Sequence, residues 1–309
     1  MGNQWLAFLT RGSRAGGQIG VFATPEGVAA AHVAPGTGGK PRLTRCVYEK
    51  GGGRDPLARV ASRLPSRRAH AVGVLEPSGY RLLLVEAPDV PADELRAAVR
   101  WRVKDLIDFH VDDAVIDVFE MPPHARGGPQ RMMYAVTAKA EAVKREIERI
   151  EAAGLNLDVV DIPELSLRNV ATLLDSGRGA ALLYLSERRS TLLLVRQGVL
   201  YLARYIETGV ATLAEAAELR AELVAGLALE ARRSLDYFES HYEQTSIQRL
   251  HVSGLEAEDR EAIARELGVA VDEVDLAALL DTDEALSPEL QRLCMPAIGA
   301  ALRKDPVAL

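Results

Sequence analysis

Residues 180–206 read AALLYLSERRSTLLLVRQGVLYLARYI and constrain the fold more than any other stretch. Three apolar runs separated by short polar breaks predict a strand, a tight turn and two further strands. The first turn, Ser186-Glu187-Arg188-Arg189-Ser190, contains no glycine. A turn that cradles nucleotide phosphates needs backbone amides free to approach an anion, and usually an acid nearby for magnesium. The nature of this turn therefore bears on whether the chain is an enzyme.

The rest of the chain supplies partners for such strands. At 309 residues and 48% hydrophobic content it can bury a large core, and its length suggests about two domains. The formal net charge of −7 argues against nucleic acid as a main partner, because phosphate-backbone binding requires a basic face. Cys46 and Cys294 match neither a zinc nor a redox spacing, and are expected as buried free thiols in a reducing compartment. The N-terminal MGNQWLAFLTRGSR is neither a signal peptide nor an anchor, and no run of about 18 apolar residues predicts a membrane span.

Three layers follow along the chain. Over residues 18–84, short strands alternate with turn-rich stretches such as Gly51-Gly52-Gly53, with a short helix near residues 56–64. Residues 87–158 show helix, strand, strand, helix, strand. The first of these helices is expected to start at Pro91, with Asp93 and Glu94 in its first turn, and to run to about Ile107. Leu95, Val99, Val103, Leu106 and Ile107 form its apolar stripe, and Trp101 projects from the opposite side as a candidate partner contact or as cover for a neighbouring strand. Val143, Ile147 and Ile150 share a face of the next helix, which stops at Gly154. Asp161-Ile162-Pro163-Glu164 reads as a capping-box variant opening a further helix. The last layer adds the three strands, a helical run over about 213–240, a strand–turn–helix–strand unit over 247–271 and a helix through Leu302. Interleaved strands and helices make this an α/β protein, without a fixed-period repeat.

Catalytic motifs are mostly absent. In Gly36-Thr37-Gly38-Gly39-Lys40-Pro41, no Ser or Thr follows the lysine, and Pro41 removes an amide where a phosphate-binding helix would open. His32, His70, His110, His124, His241 and His251 lack the i, i+4 spacing of a helical zinc site. Ser253, in HVSGL, lacks the glycines of a nucleophile elbow. The acid pairs Asp112-Asp113 and Asp281 with Asp283 read as solvated loops rather than cation ligands. Arg188-Arg189 and Arg232-Arg233 read as surface charge or as anion contacts.

Three blocks, taken in order, resemble the PilM group of type IV pilus assembly proteins. They are VEAPDVPADELRAAVRWRVKDLIDFHVDDAVIDVFEMP, AGLNLDVVDIPELSLRNVATLL and LALEARRSLDYFES, and the wording WRVKDLIDF and DVFEMP is most similar to the MshI branch of MSHA-type pilus biogenesis. The resemblance implies an actin-like, FtsA-like two-lobed α/β fold with an inserted small α+β subdomain. Residues 1–86 would begin lobe I, 87–158 would be the insert, and 159–309 would form lobe II with a final helix returning to lobe I. It implies a cytoplasmic protein beneath the inner membrane of a bacterium, binding the cytoplasmic N-terminal tail of a PilN-like bitopic protein in a groove between the first subdomain and the insert, and coupling to pilus motor ATPases.

Nucleotide-binding members of this group carry two Asp-X-Gly signatures and glycine turns. Here Phe22 and Thr24 stand at the first signature, after Gly20, and Tyr184 and Ser186 at the second. One glycine remains at Gly209 and one at Gly254. The vestigial cleft would comprise Gly20, Ser186, Ser190, Gly209, Ser253 and Gly254. With both acids missing, no metal site and no catalytic residue are expected, and no cofactor beyond weak ATP or ADP binding. The resemblance thus implies an adaptor with a degenerate nucleotide site. Two alternatives stay open: an ATP-binding or ATP-hydrolysing PilM-type protein, and the cytoplasmic domain of a type II secretion L-type protein.

Overall fold

In the computed structural model, residues 16–52, 55–65, 69–91, 94–123, 131–242, 246–282 and 284–304 are described. The expectations for residues 1–14, Gly53, Asp93, His124 and Asp283 lie outside them. Strand β1 (Gln18–Thr24) turns directly into β2 (Gly27–Ala34), and both are buried along nearly their whole length, which is why they read as continuous apolar runs rather than alternating ones. A short turn over Thr37–Gly39 leads to β3 (Arg42–Lys50). Helix α1 (Pro56–Ser62) begins with Asp55 accepting from the Ala58 amide at 3.1 Å. It precedes β4 (His70–Val74), which runs parallel to β1.

The chain then leaves this sheet. β5 (Tyr80–Glu86), α2 (Leu95–Val103), β6 (Ala114–Glu120), β7 (Met132–Lys139) and α3 (Ala140–Ala152) follow, with the strands ordered β5-β7-β6. The sheet of this small unit therefore begins at Tyr80, ahead of residue 87. Val99 and Val103 of α2 are fully buried against Val85, Val118 and Met133. α2 is shorter than its sequence predicts: it starts at Leu95, with Glu94 flanking it, and ends at Val103. Leu106 is exposed rather than part of the buried stripe. Gly154 stops α3's segment in the left-handed conformation, at φ +79°.

β8 (Asn156–Asp161) returns to pair with β4, and α4 (Pro163–Leu174) follows. The expected capping box does not form. Ile162 is the flanking residue, Asp161 accepts the Ile162 amide and pairs with Arg303 at 2.7 Å, and Glu164 is buried. Strands β9 (Ala180–Leu185), β10 (Ser190–Arg196) and β11 (Val199–Ile206) lie where the sequence spacing puts them. Helices α5 (Val210–Glu215) and α6 (Arg220–Tyr242), strand β12 (Arg249–Ser253), α7 (Ala257–Leu267), β13 (Ala270–Glu273), the short α8 (Leu276–Leu279), β14 (Asp281–Thr282) and α9 (Pro288–Ala301) complete the chain.

The two large sheets repeat one topology. The first has the order β14-β3-β2-β1-β4-β8 and the second β11-β10-β9-β12-β13. In each, three antiparallel strands are followed by two strands parallel to the first of them. α9 lies on the first sheet, α4 on the second, and the two helices pack against each other, so one buried layer joins the halves. Two glycines make this possible. A methyl group at Gly20 would strike the carbonyl of Ala297 in α9, and one at Gly299 would strike that of Ser166 in α4. Cys46 and Cys294 are free and buried in the same layer, as their burial expectation holds. The neighbouring Cys46 thiol, with burial, pushes the Cys294 thiol up.

Candidate functional site

The β1–β2 turn and the β9–β10 turn face each other across a cleft of ≈ 260 Å³. Phe22, Thr24 and Tyr48 line one side, and Tyr184, Ser186 and Arg292 the other. The side chains standing at the two acid positions thus do come together, as aromatic rings. Phe22 is 8% exposed and Tyr184 6%, so both rings fill the floor instead of reaching for solvent. Burial raises the Tyr184 hydroxyl far above its ordinary range, and burial followed by the Glu187 charge raises Tyr48.

The turn after β9 uses its polar groups internally. The Ser186 amide and hydroxyl both donate to the Arg189 carbonyl, at 2.8 and 2.9 Å. The first amides of α5 close on the turn as well: Val210 N–H donates to Ser186 O at 3.0 Å and Ala211 N–H to Glu187 O at 2.9 Å. Donors that would meet a phosphate at a helix start are already satisfied. Glu187 accepts from Arg292 at 3.0 Å, Arg188 donates to Glu215 at 2.6 Å, and Arg189 stacks over the Tyr205 ring at 5.2 Å. Glu26, Glu76 and Glu187 all border the cleft, yet among the described residues no group of three or more metal-ligating side chains converges. The residues present do not fit a magnesium nucleotide.

The remaining expected site residues have structural roles nearby. Gly20 lies under α9, away from the cleft lining. Ser190 is fully buried and donates to the Thr208 carbonyl. Gly209 brings the start of α5 against the backbone of Glu187 and Arg188, where a Cβ would not fit. Ser253 is buried at the end of β12, opposite Tyr184. Gly254 follows at φ +101° and abuts the Arg292 side chain. Trp101 is 75% exposed on the outer side of α2 and lines neither cavity. Of the acid pairs, Asp112 accepts from Arg100 at 2.8 Å and Asp281 lies 3.9 Å from Arg42. Arg232 and Arg233 pair with Glu266 and Glu230.

A groove of ≈ 490 Å³ adjoins the cleft, between the first sheet's β1–β2 turn and the small unit. Arg81, Phe109 and Lys139 line it together with Glu141, Arg145 and Arg149 of α3. Its cations are matched: Arg149 with Glu146 at 2.6 Å, Arg145 with Glu141 at 3.0 Å, Arg81 near Asp108, and Lys139 over the Phe109 ring. Behind its wall the Tyr80 hydroxyl donates to Glu164 at 2.7 Å. Glu164 is fully buried, and that burial pushes its carboxyl up to about 7. Sequence reasoning missed Arg292, Tyr48 and Glu76, and reads Glu164 only as part of a helix cap. Arg292 lies 105 residues from Glu187, and no spacing signals such a pair.

No protein-family model matches the chain, and no curated protein does. Among solved structures it is similar to the PilM–PilN type IV pilus biogenesis complex, at TM-score 0.70 and 20% identity, covering 92% of this chain and 97% of that one. It is also similar to the cytoplasmic domain of EpsL, an inner-membrane component of the type II secretion system of Vibrio cholerae. That likeness has TM-score 0.51 and 11% identity, over 91% of this chain and 94% of that one. The chain has an actin-like α/β fold with a small inserted α+β unit. Among the described residues no helix is long and apolar enough to cross a membrane.

Proposed function

We propose that this protein is an adaptor of a type IV pilus assembly platform of the PilM kind, in its MSHA branch, that binds a PilN-like inner-membrane protein rather than hydrolysing ATP. The observation that carries the reading is the contrast between two neighbouring cavities. The cleft at the two turns is floored by Phe22 and Tyr184, and the Ser186 amide and the first amides of α5 beside it are already bonded. The groove beside it is larger and open, between the first sheet and the small unit. A triphosphate needs free amides and a metal-holding acid, and an extended peptide needs a groove with polar rims and an apolar patch. These residues suit the second.

On this reading the protein sits in the cytoplasm beneath the inner membrane, takes the cytoplasmic tail of its partner in the groove, and hands motion from motor ATPases to the platform. Trp101, on the outer side of α2, is a candidate second contact, because a large exposed aromatic is a common interface anchor. The likeness to the EpsL domain favours a second reading, the equivalent position in a type II secretion platform. Titration of the purified protein with a synthetic peptide of the PilN-like partner's cytoplasmic tail tests the first: saturable binding is expected, and no calorimetric signal overturns it. Binding instead to the cytoplasmic segments of a secretion platform selects the second.

A further inference from the structure

The cleft and the groove meet along one lip. Thr24 and Pro25 of the β1–β2 turn, with Glu76 and Ser78 ahead of β5, border both. A segment lying in the groove therefore has the cleft as its neighbouring depression. Beyond the lip, the cleft presents Phe22, Tyr48, Tyr184 and Leu293, and its half-buried cation Arg292 is matched by Glu187. The aromatic floor beyond the lip accepts an apolar side chain in preference to a charged one, since the Arg292–Glu187 pair there is already compensated.

The lip itself carries unmatched negative charge. Among the described residues, the Glu76 carboxylate has one side-chain partner, the hydroxyl of Ser78 at 2.9 Å, while every cation of the groove is engaged with an acid or a ring. Glu26 stands at the same turn. A carboxylate bordering two cavities without a cation favours a ligand that brings one.

We propose that the degenerate nucleotide cleft is the end pocket of the partner groove: the bound tail crosses the lip with a cationic group, a Lys, an Arg or an amino terminus, against Glu76, and seats an apolar side chain on Phe22, Tyr48 and Tyr184. This rests on the tail-binding reading above. It gives the emptied cleft a use, because aromatic rings in place of acids convert a phosphate site into an apolar socket.

The experiment uses the full chain and a synthetic peptide of the PilN-like partner's cytoplasmic tail, carrying a photoreactive benzoylphenylalanine at successive positions. One end of the peptide should crosslink to Phe109 or Lys139 and the other to Tyr48 or Tyr184. Glu76→Gln should weaken binding about tenfold, and Glu239→Gln, on the exposed side of α6 away from both cavities, by no more than about twofold. Thermal melting of both variants, expected to match the parent, separates lost contact from lost fold. Crosslinks confined to the groove, or full affinity in Glu76→Gln, overturn this inference and leave the tail-binding reading standing. No binding of the peptide at all overturns both.

Discussion

Arg292 of α9 bonds Glu187 of the β9–β10 turn at 3.0 Å, tying the helix between the lobes to the rim of the cleft. Arg292 is only 12% exposed, and a second guanidinium nitrogen reaches the Leu185 carbonyl at 3.5 Å. Arg292→Ala leaves a part-buried carboxylate and a carbonyl without their donor, and should cost about 1–3 kcal/mol in denaturant unfolding. Glu187→Gln keeps a hydrogen-bond acceptor and should cost less. A double-mutant cycle on the pair should give a coupling of about 0.5–1.5 kcal/mol.

Magnesium ATP should not stabilise the protein. A folded-state ligand at a thousand times its dissociation constant adds about 4 kcal/mol, which for a domain of this size moves the melting temperature by several degrees. With Phe22 and Tyr184 on the floor and the amides of Ser186, Val210 and Ala211 bonded, the expected shift in a thermal scan is nil, and no phosphate release should be detected. A saturable upward shift with ATP would revive the nucleotide-binding alternative.

Glu164 makes stability depend on pH. Its carboxyl is raised from 4.5 to about 7 by burial, so the folded state holds a proton that the unfolded chain has released between those values. Its contribution therefore falls as pH rises from about 4.5 to about 7 and is flat above. The full difference across that window is about 3 kcal/mol. Glu164→Gln keeps an acceptor for the Tyr80 hydroxyl, and the stability difference between parent and variant should shift towards the variant across this window. A difference independent of pH would contradict it.

Two glycine substitutions should act in opposite directions. Gly20→Ala drives a methyl group into the Ala297 carbonyl, between a strand and a helix that cannot both move, and should cost about 3 kcal/mol or more. Gly226 lies on the exposed side of α6 with open space around it, so Gly226→Ala should gain about 0.5–1 kcal/mol. Urea midpoints of the two variants check both.

Trp101→Ala should leave stability within about 0.5 kcal/mol, since the ring is 75% exposed and outside the core. A loss of partner binding without a loss of stability would identify it as a contact.

Much of the fold was legible in the chain because its strands are buried on both sides and its helices on one, patterns that show as apolar runs and 3.6-residue spacing. The strands β9 to β11 and the cap at Gly154 follow directly from such local signals. Leu106 and Ile107 continue the spacing of α2 and so predict a longer helix, but Leu106 is exposed and Ile107 only half-buried; there burial, not periodicity, sets the end. The acid at 164 read as a cap because local rules count residues from a helix start, whereas its hydroxyl partner, Tyr80, lies on a strand 84 residues earlier.

By itself the sequence determined the α/β class, the strands β9 to β11 and a turn between β9 and β10 without glycine. Only the tertiary structure decided that the two halves share one sheet topology, that Phe22 and Tyr184 meet across a cleft, and that Arg292 of α9 balances Glu187. Local propensity and periodicity are written along the chain, but the lip joining cleft and groove comes from turns 50 residues apart brought together by the parallel pairing of β1 with β4, and long-range packing of this kind leaves no mark on spacing.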